Sequence, residues 1–294
     1  MREKFLRYLE YEKRYSKHTI ASYSKDLEQL ELFMQANYDF SDLAQATHSI
    51  LRSWIIQLID DKLDPRTVNR KIACLRSFYK FLLRNEVITK DPTQKLRVLK
   101  TSKKLPQFVQ ENEIMRLLDN FEFDGNSFTS KRDQLILELL YGTGIRLAEL
   151  ISLQTQDVNL HSHTIKVLGK RNKERVIPFS SSLKRNIETY LSLKNKHENL
   201  KDSKTLVVTD TGEDCYPMMI YRTVKKYLNL FTTVEKRSPH VLRHTFATHL
   251  LNKGAELNAV KDLLGHSSLA ATQVYTHNSL DKLKAVFEQA HPKA

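Results

Sequence analysis

The sequence predicts a mainly α-helical protein of two basic domains, with a small β-hairpin in the C-terminal one. Three observations carry this. Seven glycines and seven prolines in 294 residues leave long stretches in which apolar residues recur at the helical period. Strand-like alternation is confined to a short region between Ile165 and Pro178. The net charge of +13 is spread along the chain, with 19 Lys/Arg against 13 Asp/Glu in the first hundred residues. At 40% hydrophobic residues, the chain can build two ordinary cores and is not disordered.

Helical segments are expected around 2–11, 17–36, 47–61 and 65–85. Ser16 caps the second, Asp64-Pro65 opens the fourth, and Asp91-Pro92 closes the set. This gives an N-terminal helical domain over 1–95. Residues 96–107 read as a basic linker, because no acidic residue lies between Asp91 and Glu111 while Lys95, Arg97, Lys100, Lys103 and Lys104 do. The second domain spans 108–294. In it, Ile165 to Leu168 and Arg175 to Pro178 pair around Gly169 to Glu174, with Lys170 at or beside the turn.

The stretch SPHVLRHTFATHLL, Ser238 to Leu251, forms a helix capped by Ser238, with Pro239 as its first residue. Leu242, Phe246 and Leu250 make its buried stripe, while His240, Arg243 and His244 share another face. Gly265 ends a further helix directly before His266. Ser279 is read as the N-cap of a last helix with the stripe Leu280, Leu283 and Phe287.

A distributed basic charge favours a polyanionic partner, and nucleic acid over a membrane surface, since no strongly hydrophobic amphipathic anchor is present. Cys74 and Cys215 are too few for a disulfide framework and have no metal-ligand spacing. The opening MREKFLRYLEYEKRYSK is charged throughout, and no run approaches the roughly 18 apolar residues of a membrane span. A soluble, cytoplasmic protein with no membrane partner is expected.

The residues that could carry chemistry are Arg146, with Glu149 one turn later, and Lys170, His240, Arg243, His266 and Tyr275. His240 and His244 have the spacing of a zinc helix, but HVLRH lacks the glutamate of H-E-x-x-H and carries the opposing charge of Arg243. The GTG of residues 142–144 fails as a dinucleotide fingerprint because its third glycine would fall at Leu147. Neither metal nor cofactor is expected. His244 and His249 are read as structural. The remaining set suits metal-free phosphoryl transfer: guanidiniums stabilise charge on non-bridging oxygens, a phenol can be the nucleophile, and a lysine can protonate a departing alkoxide.

These residues, in this order, resemble the tyrosine recombinases, and among them the Xer-type bacterial recombinases. The likeness runs through YSKHTIASYSKDL, TVNRKIACLRSFYKFL, TGIRLAEL, GKRNKER, HVLRHTFATHLL, LLGHSSLAATQVYTH and the closing HPKA. It implies a two-domain, C-shaped clamp on DNA, with a SAM-like core-binding domain and a catalytic domain. It further implies that Tyr275 forms a 3′-phosphotyrosine while Arg146, Arg243 and His266 hold the phosphate. His240 would assist the tyrosine's proton transfer, Lys170 would protonate the 5′-oxygen, and Glu149 would orient the arginine side. One departure from the family is Arg171, where Gly-Lys-Gly is usual; a second base could supplement Lys170.

The implied partners are double-stranded DNA with inverted half-sites and a homo- or hetero-tetramer on two such sites. The resemblance also offers a second Xer recombinase and a DNA translocase activator as candidate partners. The implied role is resolution of chromosome or plasmid dimers at cell division, with an integrase or excisionase of a mobile element as the alternative. A DNA-binding module without chemistry is the different-class reading, and the complete set of six positions counts against it. The resemblance also implies that the last helix docks on a neighbouring protomer.

Overall fold

The computed structural model describes residues 1–101, 107–169, 174–196, 203–265 and 277–293, with side chains at 120 and 277–282 excepted. It divides into two compact units, Met1–Lys104 and Leu105–Ala294. The first contains α1 (Arg2–Arg7), continued by a π-helical turn at Tyr8–Glu12, then α2 (Lys17–Tyr38), α3 (His48–Asp60) and α4 (Pro65–Arg84). Each of the three long helices begins where a short polar side chain takes an orphan amide. Ser16 accepts from Thr19 at 3.3 Å, Thr47 from Ile50 at 3.4 Å, and Asp64 from Arg66 at 2.8 Å.

Phe5, Leu27, Leu30, Leu51, Trp54, Ile72, Leu75 and Phe78 fill this unit's core. Among them Asp26 is buried and paired with Lys71 at 2.8 Å and with Arg70, which offsets the cost of removing that carboxylate from water. The expected linker does not leave the unit at residue 96. Leu96 is buried, Arg76 donates to its carbonyl at 2.7 Å, and Asn69 bonds both backbone groups of Leu99 at 2.7 and 2.9 Å.

The second unit begins with α5 (Glu111–Met115), a π-helical turn at Arg116–Asn120, α6 (Phe128–Thr143) and α7 (Leu147–Ser152). Three strands follow, β1 (Val158–Asn159), β2 (Thr164–Leu168) and β3 (Glu174–Pro178), and then α8 (Ser181–Lys196), α9 (Pro217–Phe231), α10 (Pro239–Asn252), α11 (Leu257–Leu264) and α12 (His277–Ala290). α6 is buried at every position from Arg132 to Tyr141, as a helix enclosed by neighbours must be; α8 and α10 pack on it. No helix among the described residues is long and apolar enough to cross a membrane.

The expected hairpin is β2 and β3, with Ile165 opposite Ile177 and Val167 opposite Arg175. Paired residues share a face, so Arg175 lies with Val167 on the buried side of the sheet. β1 adds a third strand that sequence alternation did not reveal, because two residues show no period.

Two local expectations are corrected. Ser238 occupies the N-cap position of α10, yet its buried hydroxyl caps nothing and has no hydrogen-bond partner among the described residues; the start is set by Pro239, whose missing N–H is one orphan fewer. α12 begins at His277, ahead of Ser279. Its Leu283 and Phe287 are buried in the same unit's core, against β3, α10 and α11; Leu280's side chain lies outside the described residues. His291 stacks on Phe287 with ring centroids 4.6 Å apart, and Lys293 pairs with Asp119 at 2.7 Å. Phe287→Ala should therefore destabilise the isolated protomer by about 3–5 kcal/mol, measured by denaturant unfolding at a concentration where the chain is monomeric.

Candidate active site

Two glycines set the site's frame. α6 ends at Gly144, whose φ of 60° is left-handed, and a Cβ there would lie 2.5 Å from Phe246; both facts demand glycine. The chain then turns to place Arg146 at the N-cap of α7. α11 ends at Gly265, φ 62°, where a Cβ would sit 3.0 Å from Arg175 Cδ. The glycines thus bring the N-terminus of α7 and the C-terminus of α11 to the same place.

Glu149 lies buried at that junction. Its Oε1 accepts from Arg146 Nη1 at 2.7 Å and Arg175 Nη1 at 2.8 Å; its Oε2 accepts from the Arg146 backbone N–H at 2.7 Å and Arg175 Nη2 at 2.8 Å. Burial alone would raise this carboxyl, but the hydrogen bonds from Arg175 and Arg146 win and hold it at about 2.

Three successive carbonyls at the end of α11 take three different arginines. Leu263 O accepts from Arg175 Nε at 3.0 Å, Leu264 O from Arg243 Nη2 at 2.6 Å, and Gly265 O from Arg146 Nη2 at 2.9 Å. Arg243 Nη1 also donates to Gly144 O. These carbonyls are the negative end of the helix and have no intrahelical partner, so guanidiniums satisfy them well.

Three guanidiniums nevertheless meet one carboxylate, an excess of two positive charges. Burial, then repulsion from Arg146 and Arg175, pushes Arg243 down to about 10, so it stays charged at neutral pH. Arg175 and Arg243 are buried, whereas the Arg146 side chain is 27% exposed and forms the open edge. The cluster can receive a dianionic or developing anionic group through forked N–H donors.

The structure brings Arg146, Glu149 and Arg243 together. His240 is exposed on α10, one turn before Arg243, and His244 is half-buried with its pKa lowered by burial and by His240. His249 is structural: buried, with Nε2 at 3.0 Å from Val109 O and Nδ1 at 3.0 Å from the Tyr141 hydroxyl. Since the carbonyl can only accept and burial lowers the ring's pKa, Nε2 carries the proton and Nδ1 accepts from the phenol. Lys170, His266 and Tyr275, and with them Arg171, lie outside the described residues. No group of three or more His, Cys, Asp or Glu side chains among the described residues could hold a metal ion. Sequence reasoning missed Arg175. The available signal was strand alternation: it shares a face with Ile177, and an arginine there needs a buried acid.

Residues 107–281 match the phage integrase family, and residues 3–86 match the phage integrase N-terminal SAM-like domain. The chain is 39% identical to tyrosine recombinase XerC of Staphylococcus carnosus, over 100% of this chain and 98% of that one. It is 37% identical to XerD of Staphylococcus haemolyticus, over 99% and 98%. Two solved structures share the fold. XerH recombinase bound to a palindromic difH substrate has a TM-score of 0.71 at 23% identity, covering 90% of this chain and 78% of that one. The Tn1549 transposon integrase with transposon right-end DNA has a TM-score of 0.71 at 18% identity, covering 97% and 98%.

Glu149→Gln leaves the guanidiniums without their counter-charge and should cost about 3 kcal/mol at neutral pH. Because folding lowers this carboxyl from 4.5 to about 2, its contribution is full above pH 4.5 and is lost as pH falls towards 2. The stability gap between parent and variant should therefore narrow over that window in denaturant titrations.

Proposed function

Since the chain belongs to the phage integrase family of tyrosine recombinases, we propose that it cleaves and rejoins specific DNA sites through a 3′-phosphotyrosine intermediate. The observation that carries this reading is the arginine cluster: three guanidiniums around one buried carboxylate, in excess positive charge, closing on Gly265 immediately before His266.

Arg146 and Arg243 hold the scissile phosphate, with His266 adding a hydrogen bond. The Tyr275 oxygen attacks phosphorus as its proton leaves with help from His240; the bond to tyrosine forms and the bond to the 5′-oxygen breaks. Lys170 gives the departing oxygen its proton. Phosphorus keeps the same number of ester bonds throughout, so a 5′-hydroxyl can reverse the step without cofactor. Glu149 stays ionised and aims the arginines.

The partner is double-stranded DNA with inverted half-sites, held by the N-terminal core-binding domain and the C-terminal catalytic domain, within a tetramer on two sites. Near full-length likeness to XerC and XerD relatives supports a cytoplasmic Xer-type role in resolving chromosome or plasmid dimers, alone or with a second recombinase.

Tyr275→Phe should bind target DNA as the parent does and form no covalent adduct on a denaturing gel. An adduct in that variant would move the nucleophile elsewhere. Adduct formation by the parent should survive saturating EDTA; loss restored by magnesium or zinc, with binding intact, would defeat arginine-only stabilisation.

Lys170→Ala should slow cleavage of ordinary DNA but spare a substrate with a 5′-bridging sulfur, since a thiolate leaves unprotonated. Equal impairment on both would reject the general-acid role, and sulfur rescue of Arg171→Ala instead would transfer it.

A further inference from the structure

Arg175 has no task in the mechanism above, yet it is among the best-connected side chains of the unit. It is buried on the inner face of β3, opposite Val167, and all three of its guanidinium nitrogens are used. Two make a fork to both oxygens of Glu149 at 2.8 Å, and Nε reaches Leu263 O at 3.0 Å. Gly265 closes over it with no room for a Cβ. One planar group therefore joins three elements: the sheet, the carboxylate that aims Arg146, and the last turn of the helix whose next residues are Gly265 and His266.

We infer that Arg175 is a positioning residue of the phosphodiester site: it locks Glu149 and the C-terminal turn of α11 into one rigid body, which fixes the direction of Arg146 and Arg243 and the point from which the His266 segment departs. The inference rests on the recombinase reading for its consequence in catalysis, but the locking itself does not. A lysine cannot replace it. Its single ammonium could pair with Glu149, yet it lacks the planar fork that reaches both carboxylate oxygens and the Leu263 carbonyl at once.

The test compares Arg175→Lys and Arg175→Gln with the full-length parent. In the DNA-free protein, amide hydrogen exchange at Leu264 and Gly265 should accelerate in both variants while the amides of α6 stay protected. With saturating target DNA, single-turnover adduct formation should fall by about 100-fold, as misplacement of a charge-stabilising group by about 1 Å can cause, with DNA affinity close to the parent's. A scissile methylphosphonate removes the negative charge that the arginines serve, so on that substrate the defect should shrink to about tenfold or less.

Unchanged exchange at Leu264 and Gly265 would overturn the locking. An equal defect on both substrates, or a defect confined to DNA affinity, would overturn positioning. Loss of cooperative unfolding in both variants would make Arg175 a core residue only and overturn the assignment likewise. Absence of any adduct from the parent, or its persistence in Tyr275→Phe, would instead strike the recombinase reading and leave the exchange result to decide the role of Arg175.

Discussion

Burying a guanidinium away from water costs several kcal/mol unless charge and hydrogen bonds replace the lost solvent. The arginine cluster of the second unit buries two, Arg175 and Arg243, and half-buries a third, Arg146. Among the described residues, Glu149 is the carboxylate that pairs with Arg146 and Arg175. The rest of the compensation comes from backbone: three carbonyls at the end of α11 and one at Gly144. Carbonyls cancel desolvation without cancelling charge, and this distinction matters. Two further carboxylates would have made the cluster neutral, with no attraction for an anion. The site as built is rigid and still electropositive.

The same constraint explains the backbone around it. For three arginines from α7, β3 and α10 to reach adjacent carbonyls, α6 must stop and turn two residues before Arg146, and α11 must stop at Arg175. Left-handed Gly144 and Gly265 do this, and each is pressed so closely by Phe246 or Arg175 that a side chain has no room. Phe246 in turn belongs to the apolar stripe of α10, whose other face carries Arg243. Core packing and charge placement are therefore set by one helix: displacing Phe246 would disturb the turn that presents Arg146.

Much of this was legible in the sequence because it depends on local rules. Ser16, Thr47 and Asp64 mark helix starts through bonds to amides two or three residues away, and the period of Leu242, Phe246 and Leu250 names a buried face. Arg146, Glu149 and Arg243 could be singled out by spacing and by the family's motif order. Arg175 was less legible: alternation puts it on the face of Ile177, but its partners lie 26 and 88 residues away, so no local spacing names the acid it needs. The packing of the last helix was hard to read for a related reason. Its stripe is as apolar as an intermolecular contact requires, and only the docking of His291 and Lys293 on the same unit shows where it is buried.

That docking bears on assembly. His291 sits among Tyr141, Phe246 and Phe287, and burial pushes its pKa down to about 3, so it is neutral and acts as an aromatic wedge. Lys293 lies beside Asp119 and the buried Glu138, whose pKa is raised by burial against the pull of that lysine. Any exchange of the C-terminal segment between protomers must therefore remove a ring from the core and strand a buried carboxylate, unless an identical segment arrives to replace both. A chain that releases this end loses the His291 ring contacts and both Lys293 ion pairs together. The packing of α12 and the placement of the last residues are thus one problem: a ring in the core and a cation beside two carboxylates hold the end of the chain on its own unit.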